Sequence, residues 1–179
     1  ITTDLSEGFK NVDWALLVGS MPRKEGMERA DLLKLNGAIF KEQGEMINEH
    51  ARLTVKVLVI GNPCNTNALI ASKHAPNIAD EQFFALTMLD QLRAEAQLAI
   101  KANAKVSDIT DMIIFGNHSA TQFPAYPLAE VYGKKATEVI TDNDWFDSEF
   151  VPMIQKRGAT VIKARGASSA ASAANAICE

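Results

Sequence analysis

The sequence predicts an α/β first half built on a parallel sheet and an α+β second domain. Two observations carry the first part. Short apolar runs without alternation end abruptly in turn residues, as strands buried on both faces do. Amphipathic stretches long enough for helices lie between those runs, and strand–helix alternation is the signature of a parallel sheet. A third observation marks the change of domain: after about residue 80 the alternation becomes irregular.

The first run is Trp14-Ala15-Leu16-Leu17-Val18, stopped by Gly19-Ser20. The second, Val55 to Ile60, is stopped by Gly61-Asn62-Pro63. Phe83 to Thr87 and Met112 to Phe115 are the third and fourth. Glu28 to His50 carries Leu32, Leu33, Ile39, Phe40, Met46 and Ile47 at helical spacing. Asn65 to His74 and Gln91 to Asn103 read as helices in the same way. Further on, Lys134 to Ile140 and Gly158 to Ala164 have strand character. The segment "DNDWFDSEFVPMIQKRG" reads as a capped helix presenting Trp145, Phe146, Phe150 and Ile154. Antiparallel pairing in this half would give the α+β domain. The boundary is expected near Asn77 to Gln82, which divides the chain into 1–78 and 79–179.

With 179 residues, 47% hydrophobic and 22% charged, the chain can bury a real core and has a soluble globular composition. A net charge of -4 and pI near 5.4 leave no basic patch for nucleic acid. No apolar run reaches the ~18 residues a membrane helix needs. The opening "ITTDLSEGFKN" is polar and acidic, unlike a signal peptide. Cys64 and Cys178 follow no metal spacing and read as two reduced thiols. The chain starts with Ile and stops inside a small-residue helix, "SSAASAANAICE", so it is expected to be a segment of a longer polypeptide.

Chemistry-bearing residues gather at the ends of the predicted strands. Arg23 lies in a Pro/Gly-containing loop and Arg29 enters the helix behind it. Guanidinium forks match carboxylates bidentately, so this stretch either folds over an anion or is a solvated charged loop. Arg29, Asn36, Gln43 and His50 recur every seven residues, a polar stripe whose plain reading is the outer helix face. Asn62 stands at a strand's carboxyl end, where open α/β sheets bind ligands, although Asn-Pro also opens turns. Asp90 and Arg93 are three apart, and could be a cap with a salt bridge or a histidine-orienting carboxylate with a substrate grip. His118 follows Met112 to Phe115 across Gly116 and Asn117. An imidazole suits proton transfer near neutrality, and Asp90 is available to partner it. Ser119 is adjacent to His118, and neighbouring strand residues face opposite ways, which disfavours a Ser/His hydrolase. His50 and His74 supply no zinc spacing, and no metal site is expected.

Together, "VGSMPRKEGMERADLL", "VLVIGNPCNTNALI", "LTMLDQLRAEAQLA", "IIFGNHSATQFP" and "QKRGATVIKARGASSAASAANAI" resemble, in order and spacing, the malate dehydrogenases of the cytosolic-type group within the lactate/malate dehydrogenase superfamily. The resemblance covers essentially the whole chain. It implies the C-terminal part of a Rossmann-type dinucleotide-binding domain followed by a substrate domain incomplete at its C-terminus. It further implies that Arg23 and Arg29 bind the dicarboxylate, that Arg93 holds its other carboxylate, and that Asn62 contacts substrate. Asp90 and His118 match the proton-relay pair. Asn36, Gln43, Ile60, Gly61 and Asn62 match nicotinamide-cofactor contacts. There are departures. The family reads Arg-Leu-Asp-His-Asn-Arg where this chain reads Met88-Leu89-Asp90-Gln91-Leu92-Arg93. "FPAY" also replaces an aromatic-Pro-Asp pattern, and the phosphate-loop fingerprint that would separate NAD from NADP does not occur in this sequence.

The expectation is therefore a cytoplasmic, homodimeric malate dehydrogenase of the tricarboxylic acid cycle, using NAD with NADP possible, and binding neither nucleic acid nor membrane. A lactate-type 2-hydroxy-acid dehydrogenase is one alternative, and Arg23 argues against it. A non-catalytic fragment retaining a carboxylate pocket is the other, and this segment alone is expected to be inactive.

Overall fold

The computed structural model describes residues 1–21, 29–167 and 169–179, with the side chains of 29–33 outside the description. The chain forms two compact units, Ile1–Leu86 and Thr87–Glu179.

In the first unit a single turn, α1 (Leu5–Gly8), is capped by the Asp4 carboxylate, which accepts the Ser6 N–H at 2.8 Å. Three strands follow: β1 (Trp14–Leu17), β2 (Lys56–Val59) and β3 (Phe83–Ala85). All are parallel, in the order β1-β2-β3, with Ala15 opposite Val57 and Val59 opposite Ala85. The crossovers are α2 (Arg29–His50) and α3 (Cys64–Lys73). The parallel α/β sheet expected from the sequence is present. Ala15, Leu17, Val57 and Val59 are buried with Phe40, Ile47, Cys64 and Ala71, whereas Trp14, Leu16 and Phe84 are exposed. Strands added in one direction by right-handed crossovers place α2 and α3 on one face, and it is there that the first set of side chains packs.

In the second unit α4 (Met88–Ala102) turns Asp90, Ala94 and Leu98 inward at four-residue spacing and stops at Asn103, whose φ of 51° is the left-handed helix stop that Asn tolerates. A sheet of β4 (Ile109–Thr110), β7 (Glu130–Val131) and β8 (Lys134–Lys135) is antiparallel, in the order β4-β7-β8. β7 and β8 are joined by Tyr132-Gly133, both at positive φ, as a two-residue hairpin turn requires. β5 (Ile114–Phe115) and β6 (Phe123–Pro124) make a separate antiparallel pair. The short helices α5 (Ala136–Val139) and α6 (Asn143–Trp145) precede a π turn at Phe146–Phe150, which leads into α7 (Val151–Arg165). Pro152 cannot donate to the helical ladder there. α8 (Ala170–Cys178) packs on α4. Phe146, Phe150 and Trp145 fill the core, and Tyr126 stacks on Phe146 at 4.4 Å.

Four expectations change. Met112 to Phe115 is strand only at Ile114–Phe115, the two-residue β5 of an antiparallel pair. Lys134 to Ile140 is strand only at its first two residues; Ala136 is buried and its N–H bonds the Ala129 carbonyl, which starts α5. Gly158 to Ala164 is helix, because α7 propagates through Gly158 until Gly166 stops it at φ 73°. One interior glycine costs only about 1 kcal/mol. The domain boundary falls at Leu86/Thr87 and not after residue 78, because β3 belongs to the first sheet.

The packing of α2 on α3 depends on Gly44. A Cβ there would lie 2.5 Å from the Ala71 carbonyl oxygen and 3.1 Å from its Cα, both backbone atoms that cannot swing away. At Gly158 a Cβ would meet nothing within 4 Å. Gly44→Ala is expected to destabilise by ~2 kcal/mol, and Gly158→Ala to stabilise by ~0.5–1 kcal/mol. Urea unfolding of the two variants checks the pair, and equal effects would contradict the geometry.

Candidate active site

The second unit brings three of the expected residues together. Asp90 sits in the first turn of α4, where a carboxylate also faces the positive end of the helix dipole. Its side chain is 2% exposed. Gly116, at φ 87°, turns the chain out of β5, and His118 follows in the loop between β5 and β6. That loop returns His118 to α4, with Nδ1 2.5 Å from Asp90 Oδ2. The second carboxylate oxygen accepts an N–H from Arg93 Nη1 at 3.2 Å. One buried carboxylate therefore holds a histidine and an arginine at once. Desolvating a carboxylate without such partners costs several kcal/mol, so the pairing is a condition of the burial. With Nδ1 directed at the carboxylate, Nε2 is the nitrogen positioned to exchange a proton with a bound molecule.

Arg93 Nη2 donates to Ser169 Oγ at 3.3 Å. The sequence reading did not single out Ser169; the available signal was a serine just ahead of a small-residue helix, which suggests only a cap. One turn along α4, Glu95 accepts from Gln91 Nε2 at 3.0 Å. Burial, with a smaller contribution from Glu179, holds the Glu95 carboxyl above the usual carboxylate range.

In the first unit Asn36, Ile60, Gly61 and Asn62 gather where β1 and β2 end. Asn36 is wholly buried. Its Oδ1 accepts the Met21 N–H at 2.7 Å, and its Nδ2 donates to Met21 O at 3.3 Å and Asn62 O at 3.4 Å. It clamps the two segments that leave the sheet, and is not the outer-face residue of the plain reading of the stripe. Gln43 is half-buried, and its Oε1 has no partner among the described residues. His50, at the end of the stripe, lies 3.7 Å from Glu49, as an outer residue would. Ile60 and Gly61 both donate to Leu17 O at 3.0 Å. A Cβ on Gly61 would meet Phe40 at 2.9 Å and Gly19 O at 3.0 Å, so the close approach of the two loops needs glycine. Asn62 is exposed, and its Oδ1 accepts the Cys64 N–H at 3.4 Å. Asn67, which the sequence reading passed over, is buried and donates to Gly61 O at 2.8 Å. An exposed side-chain amide beside a half-buried aliphatic residue at a strand's carboxyl end fits an amide-bearing aromatic ring.

Arg23 lies outside the described residues, and Arg29 opens α2 with its side chain outside them. Among the described residues no group of three or more His, Cys, Asp or Glu is placed to hold a metal ion, and no helix is long and apolar enough to cross a membrane.

Residues 1–84 match the family model of the lactate/malate dehydrogenase NAD binding domain, and residues 87–179 match that of the alpha/beta C-terminal domain. Among solved structures, a malate dehydrogenase of Naegleria fowleri is 48% identical, with a TM-score of 0.93 over 98% of this chain. A Trichomonas vaginalis lactate dehydrogenase in complex with NADH and oxamate is 43% identical, with a TM-score of 0.90 over 98%. A malate dehydrogenase of Plasmodium falciparum is 27% identical, with a TM-score of 0.85 over 98%. The chain spans about half the length of these relatives, 54%, 54% and 56% respectively.

Two variants test the assignments above. Asn36→Leu leaves three backbone groups without their buried partner and is expected to cost ~2–3 kcal/mol, read by denaturant unfolding; a change below ~0.5 kcal/mol would deny the clamp. Glu95 has a raised carboxyl pKa in the folded protein, so its protonated form favours folding. That contribution is present at low pH and is lost as pH rises through the folded titration. Relative to Glu95→Gln, the unaltered protein should therefore lose stability as pH rises past the usual carboxylate range. Melting curves that run parallel across that span would contradict it.

Proposed function

The chain belongs to the lactate/malate dehydrogenase family of oxidoreductases, and from that premise we propose that it is part of a malate dehydrogenase interconverting malate and oxaloacetate with a nicotinamide dinucleotide. The observation that carries the reading is the single buried carboxylate of Asp90 bonded to both His118 and Arg93.

In the oxidative direction His118 takes the hydroxyl proton at Nε2, and Asp90 stabilises the imidazolium and fixes the ring tautomer. Arg93 binds the carboxylate next to the reacting carbon, where a guanidinium can bond both oxygens. Arg23 and Arg29 recognise the second carboxylate, and Asn62 donates to the substrate. A nicotinamide dinucleotide, when bound, would supply the hydride acceptor. Asn62, Ile60 and Gly61 line its ring site at the strand end, with Asn36 supporting the loops from within and Gln43 further along the same helix. NAD is the proposed cofactor and NADP the alternative. A homodimeric assembly and a cytoplasmic location are proposed from the same family resemblance.

A lactate-type specificity is the second reading. The similarity of the Trichomonas vaginalis lactate dehydrogenases, at 43% identity, favours it. Oxamate, present in one of those complexes, carries a single carboxylate. Arg23 weighs against this reading, because a second cation facing an apolar methyl in a closed site would lack a counterion.

Substrate choice is tested in the full-length protein by comparing oxaloacetate with pyruvate. Arg23→Gln should lower kcat/KM for oxaloacetate by ~2 kcal/mol, about 30-fold, while pyruvate changes little. Equal losses on both substrates would remove Arg23 as the selector. For the chemistry, His118→Asn should reduce turnover by ~10²–10⁴-fold with dinucleotide binding nearly intact. Asp90→Asn should be severe but milder, since the base remains. An Asp90→Asn enzyme slower than His118→Asn would reverse the roles.

A further inference from the structure

Ser169 stands immediately before α8, in the capping position. A serine there ordinarily turns its hydroxyl onto the first-turn N–H groups, but this one makes no capping bond. Its Oγ instead accepts from Arg93 Nη2 at 3.3 Å, across 76 positions of sequence. The other terminal nitrogen of Arg93 is bonded to Asp90 Oδ1 at 3.2 Å. The guanidinium is thus gripped at both ends of its fork, by the α4 carboxylate on one side and by the start of α8 on the other. Anchored at Asp90 alone, the plane could still swing about the side-chain torsions. Two bonds on two nitrogens fix it.

We infer that Ser169 is a positioning residue that sets the plane of the Arg93 guanidinium for a planar carboxylate. The inference rests on the dehydrogenase reading for the identity of that carboxylate. Its geometry is independent of that reading. Of the five N–H donors in a guanidinium, two are engaged by Asp90 and Ser169, which leaves three and so enough for a bidentate contact. The chemistry of the second anchor matters too. Asp90 already offsets part of the positive charge. A second carboxylate would cancel more of the attraction an anion feels, whereas a hydroxyl holds the geometry and leaves the charge in place. The Arg93 side chain is 16% exposed, so it is screened and still reachable.

The test uses the full-length enzyme with Ser169→Ala and the isosteric pair Ser169→Thr and Ser169→Val, which differ only in hydroxyl against methyl. Steady-state kinetics with oxaloacetate and pyruvate give KM and kcat. Nitrogen-15 NMR of the Arg93 Nη groups reports how fast the guanidinium turns. The expected result is a KM raised about five- to tenfold in Ala and Val, the worth of roughly one ordinary hydrogen bond. kcat should change less than twofold, Nη rotation should speed up, and Thr should restore both. A merely structural tether would lower the melting temperature and leave KM and Nη rotation unmoved; that result overturns the inference. Loss of fold in Ala and Val with Thr intact also overturns it, because the hydroxyl would then serve the fold. Failure of the unaltered enzyme to turn over any 2-oxo acid overturns the dehydrogenase reading and this role with it. Normal turnover with an Ala variant indistinguishable from the unaltered enzyme overturns the Ser169 assignment alone.

Discussion

A carboxylate at 2% exposure, Asp90, constrains the second unit more than any other group. It cannot be buried without partners, and its partners come from its own helix and from a loop 28 residues away. Removing either one leaves charge uncompensated in a poor solvent, a loss of ~3–5 kcal/mol. The loop between β5 and β6, two strands of two residues each, is also ordered by its own turn bonds and by Gln155, whose Nε2 donates to Gln122 O at 2.8 Å. The Asp90–His118 bond is one of the contacts that seat this loop on α4, and on the proposed reading the same bond orients the ring that takes the proton.

The first unit solves a similar problem without charge. Loops leaving β1 and β2 must come together at one end of the sheet, and their backbone groups need partners where no ladder continues. Asn36 supplies them from inside α2, and Asn67 supplies one more from α3. Gly61 lets the loops approach, and Gly44 lets the helices that carry the two amides close on each other. The exposed Asn62 is thus held by residues that have no need to touch a ligand. Neutral amides suit this task because they satisfy several backbone groups at once and bring no charge into the core.

What could be read from the sequence follows from how local each signal is. The apolar runs at Trp14 and Val55 and the periodicity of Glu28 to His50 report burial on a scale of a few residues, and the structure forms elements there. The Asp90–Arg93 spacing is a helical repeat and equally local. The pairing of Asp90 with His118 could be suggested from their chemistry, and the resemblance that brought the distant motifs together turned the suggestion into an expectation. Two features were not legible. Gly158 to Ala164 has β-branched residues that favour a strand in isolation, and helix propagation from upstream decides otherwise. Asn36 reads as an outer-face residue, because a heptad stripe cannot reveal that two loops will fold over it.

The arrangement also explains in physical terms why a malate dehydrogenase and a lactate dehydrogenase can both be so similar to this chain, at 48% and 43% identity. On the proposed reading Asp90, His118 and Arg93 act on features every 2-hydroxy acid has, a hydroxyl, the carbon bearing it and the adjacent carboxylate. Their mutual bonds fix them as one block within one unit, and altering one member perturbs the other two. Such a block tolerates little change whatever the substrate's far end carries. On the proposed reading the far end is met by Arg23, in a segment of sequence 67 residues before Asp90 and outside that block. Two tasks carried by residues so far apart in the sequence can be altered separately by substitution. Selectivity can then diverge while the chemistry stays, and an overall identity of 48% or 43% does not report which group stands at the selecting position. On that reading the group at residue 23 bears on substrate choice more directly than overall identity does.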